Sequence, residues 1–196
     1  VQNYADLVHH RYMRWLCGLL VLSAWAGTSF DFALRDADGG MHTQAEWAQA
    51  RAIVLYYVTT DCPLSNGYAP EMNRIEEAYT PRGVRFYAVQ GDSTIADDAV
   101  RQHAREFAYR FPVLIDAQQT LAHHTGATVT PEAVVLSHDG AVLYVGRIDN
   151  RVEDFGKVRL EATEFDLRDA LDAVLGGRPV AHPHTRALGC AITTGH

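Results

Sequence analysis

Hydrophobic positions along this chain alternate between two rhythms. Residues 53–58 (IVLYYV) form an unbroken apolar run of strand length, rich in β-branched and aromatic residues, as expected of a strand covered on both faces. Immediately downstream the period lengthens. Leu64, Tyr68, Met72, Ile75 and Tyr79 recur at three- and four-residue steps, which predicts an amphipathic helix whose first turn accepts Pro63. Pro70 lies inside that pattern and predicts either a kink or a break, with one helix ending at Ala69 and another starting at Pro70. A second strand follows over 84–89 (VRFYAV), then a helix over 97–109 with Val100, Ala104 and Phe107 inward. A short strand over 111–115 and a short helix over 118–125, stopped by Gly126, come next. Strands over 133–138 and 141–147 flank Asp139-Gly140, a two-residue hairpin signal. Residues 150–160 read as a charged loop. Residues 163–175 read as a helix with Leu167, Leu171 and Val174 on one face, closed by Gly176-Gly177. Upstream, residues 30–34 alternate weakly before the turn Asp38-Gly39-Gly40. Residues 178–196 form a tail with no periodicity, read as flexible.

The order is therefore strand and helix in alternation, ending in a hairpin, a helix and a tail. Crossover helices imply parallel strands and the hairpin adds antiparallel ones, so the fold class is α/β, with a mixed central sheet flanked by helices. With 196 residues, one domain is expected, and its core needs no disulfide framework. The formal net charge is −7 and there is no Lys/Arg run, which argues against a nucleic-acid partner. No phosphate loop or dinucleotide fingerprint is present, so no cofactor is implied.

The N-terminal segment has its own character. Met13-Arg14 precedes an uncharged stretch over 15–26 that ends Ala24-Trp25-Ala26. A basic start, a short apolar run and a small-x-small ending predict a signal peptide cleaved after Ala26; the alternative is a buried N-terminal helix. Residues 1–12 would then lie upstream of a start at Met13. The folded domain would cover 27–178 and the tail 179–196. Export to the periplasm or outside follows, with no stable membrane insertion once the signal is removed. Cys17 would be discarded, leaving Cys62 and Cys190 in a compartment where disulfides persist.

Cys62 leaves the first long strand and enters the first long helix, as Cys62-Pro63-Leu64-Ser65. Free backbone N–H groups at a helix start favour a thiolate, the nucleophilic form. Asp61 opposes ionisation, and no Lys or Arg is adjacent. Ser65 stands where a dithiol motif would carry its second cysteine, so Cys62 must be resolved by another thiol. The competing reading is an inert, buried cysteine. Thr130-Pro131 opens a strand, where a proline is either an ordinary trans residue or a cis bond kept for geometry. A mixed sheet with a cysteine at the end of its first long strand is the thioredoxin arrangement, in which the cis-proline loop faces the cysteine.

From Tyr57 to Ile192 the chain resembles the peroxiredoxin-like redoxins of the alkyl hydroperoxide reductase/thiol-specific antioxidant superfamily. The segments carrying this are TTDCPLSNGYAPEMNRI (59–75), FPVLIDAQQTLAHHTGATVTPEAVVL (111–136), YVGRIDN (144–150), DLRDALDAVLGGRPV (166–180) and TRALGCAI (185–192). The resemblance implies a thioredoxin-like fold, with Cys62 as the peroxidatic or redox-active cysteine and Thr130-Pro131 as the proline loop. Two features depart from true peroxiredoxins. Thr59 fits their Pro-x-x-x-Thr/Ser-x-x-Cys pattern, but Leu55 occupies the proline position, and the Thr-Pro loop carries no arginine; Arg147 is the nearest in sequence. Thr59 either donates a hydrogen bond toward Cys62 or a peroxide, or simply ends a strand.

Cys190, in Leu188-Gly189-Cys190, is the candidate resolving thiol; a static staple to Cys62 or an unpaired thiol are the alternatives. The leading function is exported thiol-disulfide exchange or peroxide reduction. Its partners would be a protein thiol or disulfide, or a peroxide, together with an external thiol reductant. Two other classes remain open: a copper chaperone using Cys62, Cys190 and His184, since Cu(I) takes thiolate with imidazole, and a redox-inactive partner-binding domain.

Overall fold

The computed structural model describes residues 30–192. The expected signal segment, with Met13 and Cys17, lies outside the described residues. The elements are β1 (Ala33–Arg35), β2 (Met41–Thr43), β3 (Ala52–Val58), α1 (Pro63–Tyr79), β4 (Val84–Gln90), α2 (Asp97–Glu106), β5 (Val113–Ile115), α3 (Thr120–Thr125), β6 (Val129–Thr130), β7 (Glu132–Leu136), β8 (Val142–Gly146), β9 (Val152–Asp154), β10 (Lys157–Val158), α4 (Asp166–Leu175) and β11 (Cys190–Ala191).

A five-stranded mixed sheet runs β5-β4-β3-β7-β8. β3 pairs parallel with β4 and antiparallel with β7, and β4 pairs parallel with β5. All seven residues of β3 are buried, because both of its faces are covered. The pleat sorts its side chains. Val54, Tyr56 and Val58 join Tyr68, Met72 and Ile75 of α1 and Leu167 and Leu171 of α4. Ile53, Leu55 and Tyr57 face Trp47, Leu121 and Ala122. The chain is thus a three-layer α/β fold of thioredoxin type with helices on both faces.

Several boundaries differ from the sequence expectation. Pro70 does not divide α1; it sits exposed inside one continuous helix. The β7–β8 connection is longer than two residues. Ser137 N–H donates to Ala141 O and Gly140 N–H to Ser137 O, so residues 138–140 form the loop with Gly140 at φ +90°. α2 ends at Glu106, because Ala108 takes a left-handed φ of +52°. The charged segment 150–160 contains the small hairpin β9–β10, and β1 pairs with β2. The tail is docked, at least to Ile192. Val145 N–H donates to Pro183 O (2.9 Å) and Thr185 N–H to Val145 O (3.1 Å), so 183–185 lies along the open edge of β8. An edge strand offers unpaired backbone groups, and the tail supplies their partners.

Candidate active site

Cys62 is the N-cap of α1, with an extended backbone (φ −88°, ψ 108°), and its carbonyl accepts the Asn66 N–H at 3.0 Å. It follows β3 through Thr59, Thr60 and Asp61, so the central strand and α1 together fix its position. β7 lies beside β3, and the chain enters β7 through a cis Thr130-Pro131 bond. That loop places the Thr130 carbonyl 3.1 Å from the Cys62 sulfur, which donates its proton there. The short strand β6 then pairs antiparallel with β11, with Cys190 opposite Thr130 and Ala191 opposite Val129. Ile192 N–H donates to Thr128 O at 2.9 Å. The two sulfurs are 2.7 Å apart, both as free thiols. Cys62 is fully buried, whereas Cys190 is half-buried.

Gly189 is what allows β11 to lie this close. A Cβ there would sit 2.1 Å from Thr130 O and 2.5 Å from Thr130 C. Both are backbone atoms of the proline loop, so no side chain fits in this register.

The ionisation of the two thiols is pushed in opposite directions. Burial pushes the Cys62 thiol up, but hydrogen bonds outweigh it and the net direction is down: from the Cys190 thiol, from the Ser65 and Cys190 N–H groups and from the Thr130 hydroxyl. Cys190 is pushed up to about 11, first by its hydrogen bond to Cys62, then by burial and by the charges of Cys62 and Asp61. Of the two, Cys62 is therefore the sulfur that ionises first.

The sequence pattern of the AhpC/TSA family matches residues 27–145. The chain belongs to the AhpC/TSA family. Relatives of known name are thiol-disulfide oxidoreductases called ResA. That of Bacillus anthracis is 26% identical over 113 residues, 58% of this chain and 64% of the relative. That of Geobacillus thermodenitrificans is 27% identical over 120 residues, 61% of this chain and 67% of the relative. The match thus spans a little under two thirds of the length of the Bacillus relatives. Among solved structures, a hypothetical protein of Sinorhizobium meliloti superposes with a TM-score of 0.74 at 29% identity, covering 85% of this chain and 93% of that one. A secreted Mycobacterium tuberculosis disulfide oxidoreductase homologous to E. coli DsbE reaches a TM-score of 0.52 at 19% identity, covering 78% and 99%, a likeness of fold.

The residues singled out by sequence meet unequally. Cys62, Thr130, Pro131 and Cys190 converge. Thr130 also points its hydroxyl at Cys190 O, at 3.5 Å. Thr59 instead donates to Asp61 Oδ1 at 3.0 Å. Arg147 is drawn away by Asp166 (2.7 Å) and by Glu164. His184 forms a backbone bridge to Val145, and among the described residues no group of three His, Cys, Asp or Glu side chains is arranged to hold a metal ion. The three-ligand copper site built on His184 is therefore not formed. No described helix is long and apolar enough to cross a membrane.

Three neighbours of the site carry no mark that the sequence patterns revealed. His103 is buried on α2, its Nε2 2.7 Å from Asn66 Oδ1, while Asn66 Nδ2 donates to Thr60 O at 3.2 Å. This links α2 to the first turn of α1 and the loop before Cys62. Val100, Ala104 and Phe107 already defined that face, and position 103 shares it at three-residue spacing. The Tyr109 hydroxyl is buried without a hydrogen-bond partner among the described residues; burial, then the Cys62 charge, raise its pKa. Gln90 ends β4, and no sequence pattern marks it.

A cleft with about 590 Å³ of empty space opens beside the pair. Thr59, Asp61, Gln90, Asp92, Thr130 and Cys190 are among its lining residues; Cys62 is not.

Proposed function

We propose that this protein is an exported thiol-disulfide oxidoreductase in which Cys62 is the nucleophile and Cys190 the resolving thiol. The observation carrying this is the pair itself: a buried, ionisation-prone sulfur 2.7 Å from a second thiol held protonated. With β11 lifted to uncover it, the Cys62 thiolate attacks one sulfur of a partner disulfide, forming a mixed disulfide and releasing the other as thiolate. Cys190 loses its proton and attacks Cys62 Sγ, forming the Cys62–Cys190 bond and expelling the second partner thiolate. The partner gains two electrons and two protons, and the protein loses them. An external thiol reductant resets the pair. Pro131 shapes the surface beside Cys62, and Thr130 supplies its carbonyl and hydroxyl. Disulfide exchange is favoured over peroxide reduction because Thr59 is turned to Asp61 and Arg147 is held by Asp166 and Glu164. Export rests on the segment 13–26 and is supported by the secreted relative of the same fold.

The test is release of thiols from a disulfide peptide by stoichiometric reduced protein, followed by intact mass. Wild type should release two thiols and end two hydrogens lighter. Cys190→Ser should stop at a peptide adduct on Cys62, and Cys62→Ser should release nothing. If wild type leaves the peptide untouched but consumes hydrogen peroxide, the protein is a peroxidase. If neither reacts, the redox reading fails. N-terminal sequencing of protein recovered from the cell exterior should begin at Gly27.

A further inference from the structure

The two sulfurs differ in access with both thiols free, and a Cys62–Cys190 bond would pin β11 over Cys62. Cys62 is sealed beneath β11, with no exposed surface and no share in the cleft. Cys190 lines the cleft. Cys62 is also the better leaving group, because Ser65 and Cys190 N–H groups are already in place around its thiolate.

The cleft has a definite chemistry. Among the described residues its charged lining consists of two carboxylates, Asp61 and Asp92, with no Lys, Arg or His. Asp61 accepts the Thr59 hydroxyl, and Asp92 accepts the Thr94 N–H and hydroxyl. Between them stands Gln90, only 2% exposed. Its Oε1 accepts the Asp92 N–H at 3.0 Å, which fixes the orientation of the amide, and its Nε2 has no partner among the described residues. A buried amide N–H without an acceptor is costly, and a ligand carbonyl reaching the cleft would relieve it.

We propose that this cleft is the docking site of the reducing partner: a cysteine-bearing polypeptide segment with a Lys or Arg beside its cysteine. Its backbone carbonyl takes the Gln90 N–H, its cation sits between Asp61 and Asp92, and its thiol attacks Cys190. This rests on the redox reading above. The step balances. The partner thiolate forms a bond to Cys190 Sγ, the Cys62–Cys190 bond breaks, and its electron pair leaves on Cys62. A second thiol of the partner then attacks its own sulfur in the mixed disulfide. Cys190 is expelled and takes a proton, and the partner departs as a disulfide.

The experiment uses the full oxidised protein and two synthetic dithiol peptides differing only in Lys or Glu beside the attacking cysteine. Rates are expressed per thiolate, to remove differences in peptide thiol pKa. Two carboxylates acting on a unit charge through solvent predict about a tenfold preference for the Lys peptide at low salt, shrinking as salt rises. Asp61→Asn/Asp92→Asn should erase most of that preference, and Gln90→Leu should slow both peptides alike. A monothiol version of the Lys peptide, quenched with an alkylating agent, should leave its adduct on Cys190 and the alkyl label on Cys62. Equal rates for the two peptides, a preference for Glu, or an adduct on Cys62 would overturn the proposal. Failure of mild oxidants to form the Cys62–Cys190 bond at all would instead remove the redox reading beneath it.

Discussion

Replacing Gly189 by alanine should separate the two cysteines without touching either. The new Cβ would meet Thr130 O at 2.1 Å, Thr130 C at 2.5 Å and Pro131 N at 3.1 Å. These atoms belong to the proline loop, whose strand continuation β7 is wedged between β3 and β8, so the loop cannot retreat. The strand that must yield is β11, a two-residue ladder closed by the Ile192–Thr128 bond. Each such backbone bond is worth about 1 kcal/mol net, so losing the ladder costs on the order of 2–3 kcal/mol. That free energy now holds Cys190 against Cys62 across 128 residues of sequence. Its loss should lower the effective concentration of Cys190 at Cys62 by roughly 30- to 150-fold. The assay is the equilibrium between the Cys62–Cys190 disulfide and a small dithiol of known potential, read by mass after acid quenching. A second readout is alkylation of reduced Cys62, which should accelerate because the sulfur loses its cover. Urea melts of the reduced protein should show a loss of no more than about those 2–3 kcal/mol, since only Ile192 of this segment packs against a core cluster. An effective concentration within threefold of wild type, with unchanged alkylation, would refute the idea that the β11 ladder positions Cys190.

Thiolate absorbance should titrate in two steps in the reduced protein: one below the ordinary cysteine value, lost in Cys62→Ser, and one near 11, lost in Cys190→Ser. The signs differ for stability. The lowered Cys62 value stabilises the fold as pH rises through it toward 9, and the raised Cys190 value destabilises it from 9 to 11, so the pair's contribution should peak near pH 9 in urea titrations compared with the double serine variant. His42 is clasped by Asp36 (2.8 Å) and Glu46 (3.0 Å); burial opposes its charge, but these carboxylates raise it overall. Stability from the clasp is full below the free histidine value of 6.5 and fades as pH rises through the raised one, while its carboxylates, held low, lose theirs only under acid. His42→Ala should therefore cost about 1–2 kcal/mol near pH 5.5 and less at pH 9, by urea melts. Met72→Ala, fully buried between α1 and the sheet, should cost about 2–5 kcal/mol in the same assay while leaving exchange per folded molecule unchanged.

What could be read from sequence follows how each element is stabilised. β3 and α1 carry their burial in their own periodicity: seven buried residues in a row, then a stripe at helical spacing. The junction between them is where Cys62 falls, so the position of the proposed nucleophile was legible in the hydrophobic pattern alone. The hairpin was legible as a pairing but not in loop length, because Asp139-Gly140 suits a three-residue loop with glycine in the left-handed position as well as a two-residue turn. The elements that escaped have no pattern of their own. β9–β10 is built from charged residues held by Glu153 between Lys157 and Arg159, and no alternation announces it. β11 is only two residues long; its partner is a proline loop some sixty positions earlier, and its one sequence mark is a glycine. That glycine resembles a flexible tail until the Thr130 carbonyl is seen 2.1 Å from where its Cβ would be. A glycine required by close approach fixes its neighbour, and here the neighbour is Cys190. The same local crowding that made the tail look featureless is what brings the second thiol to the first.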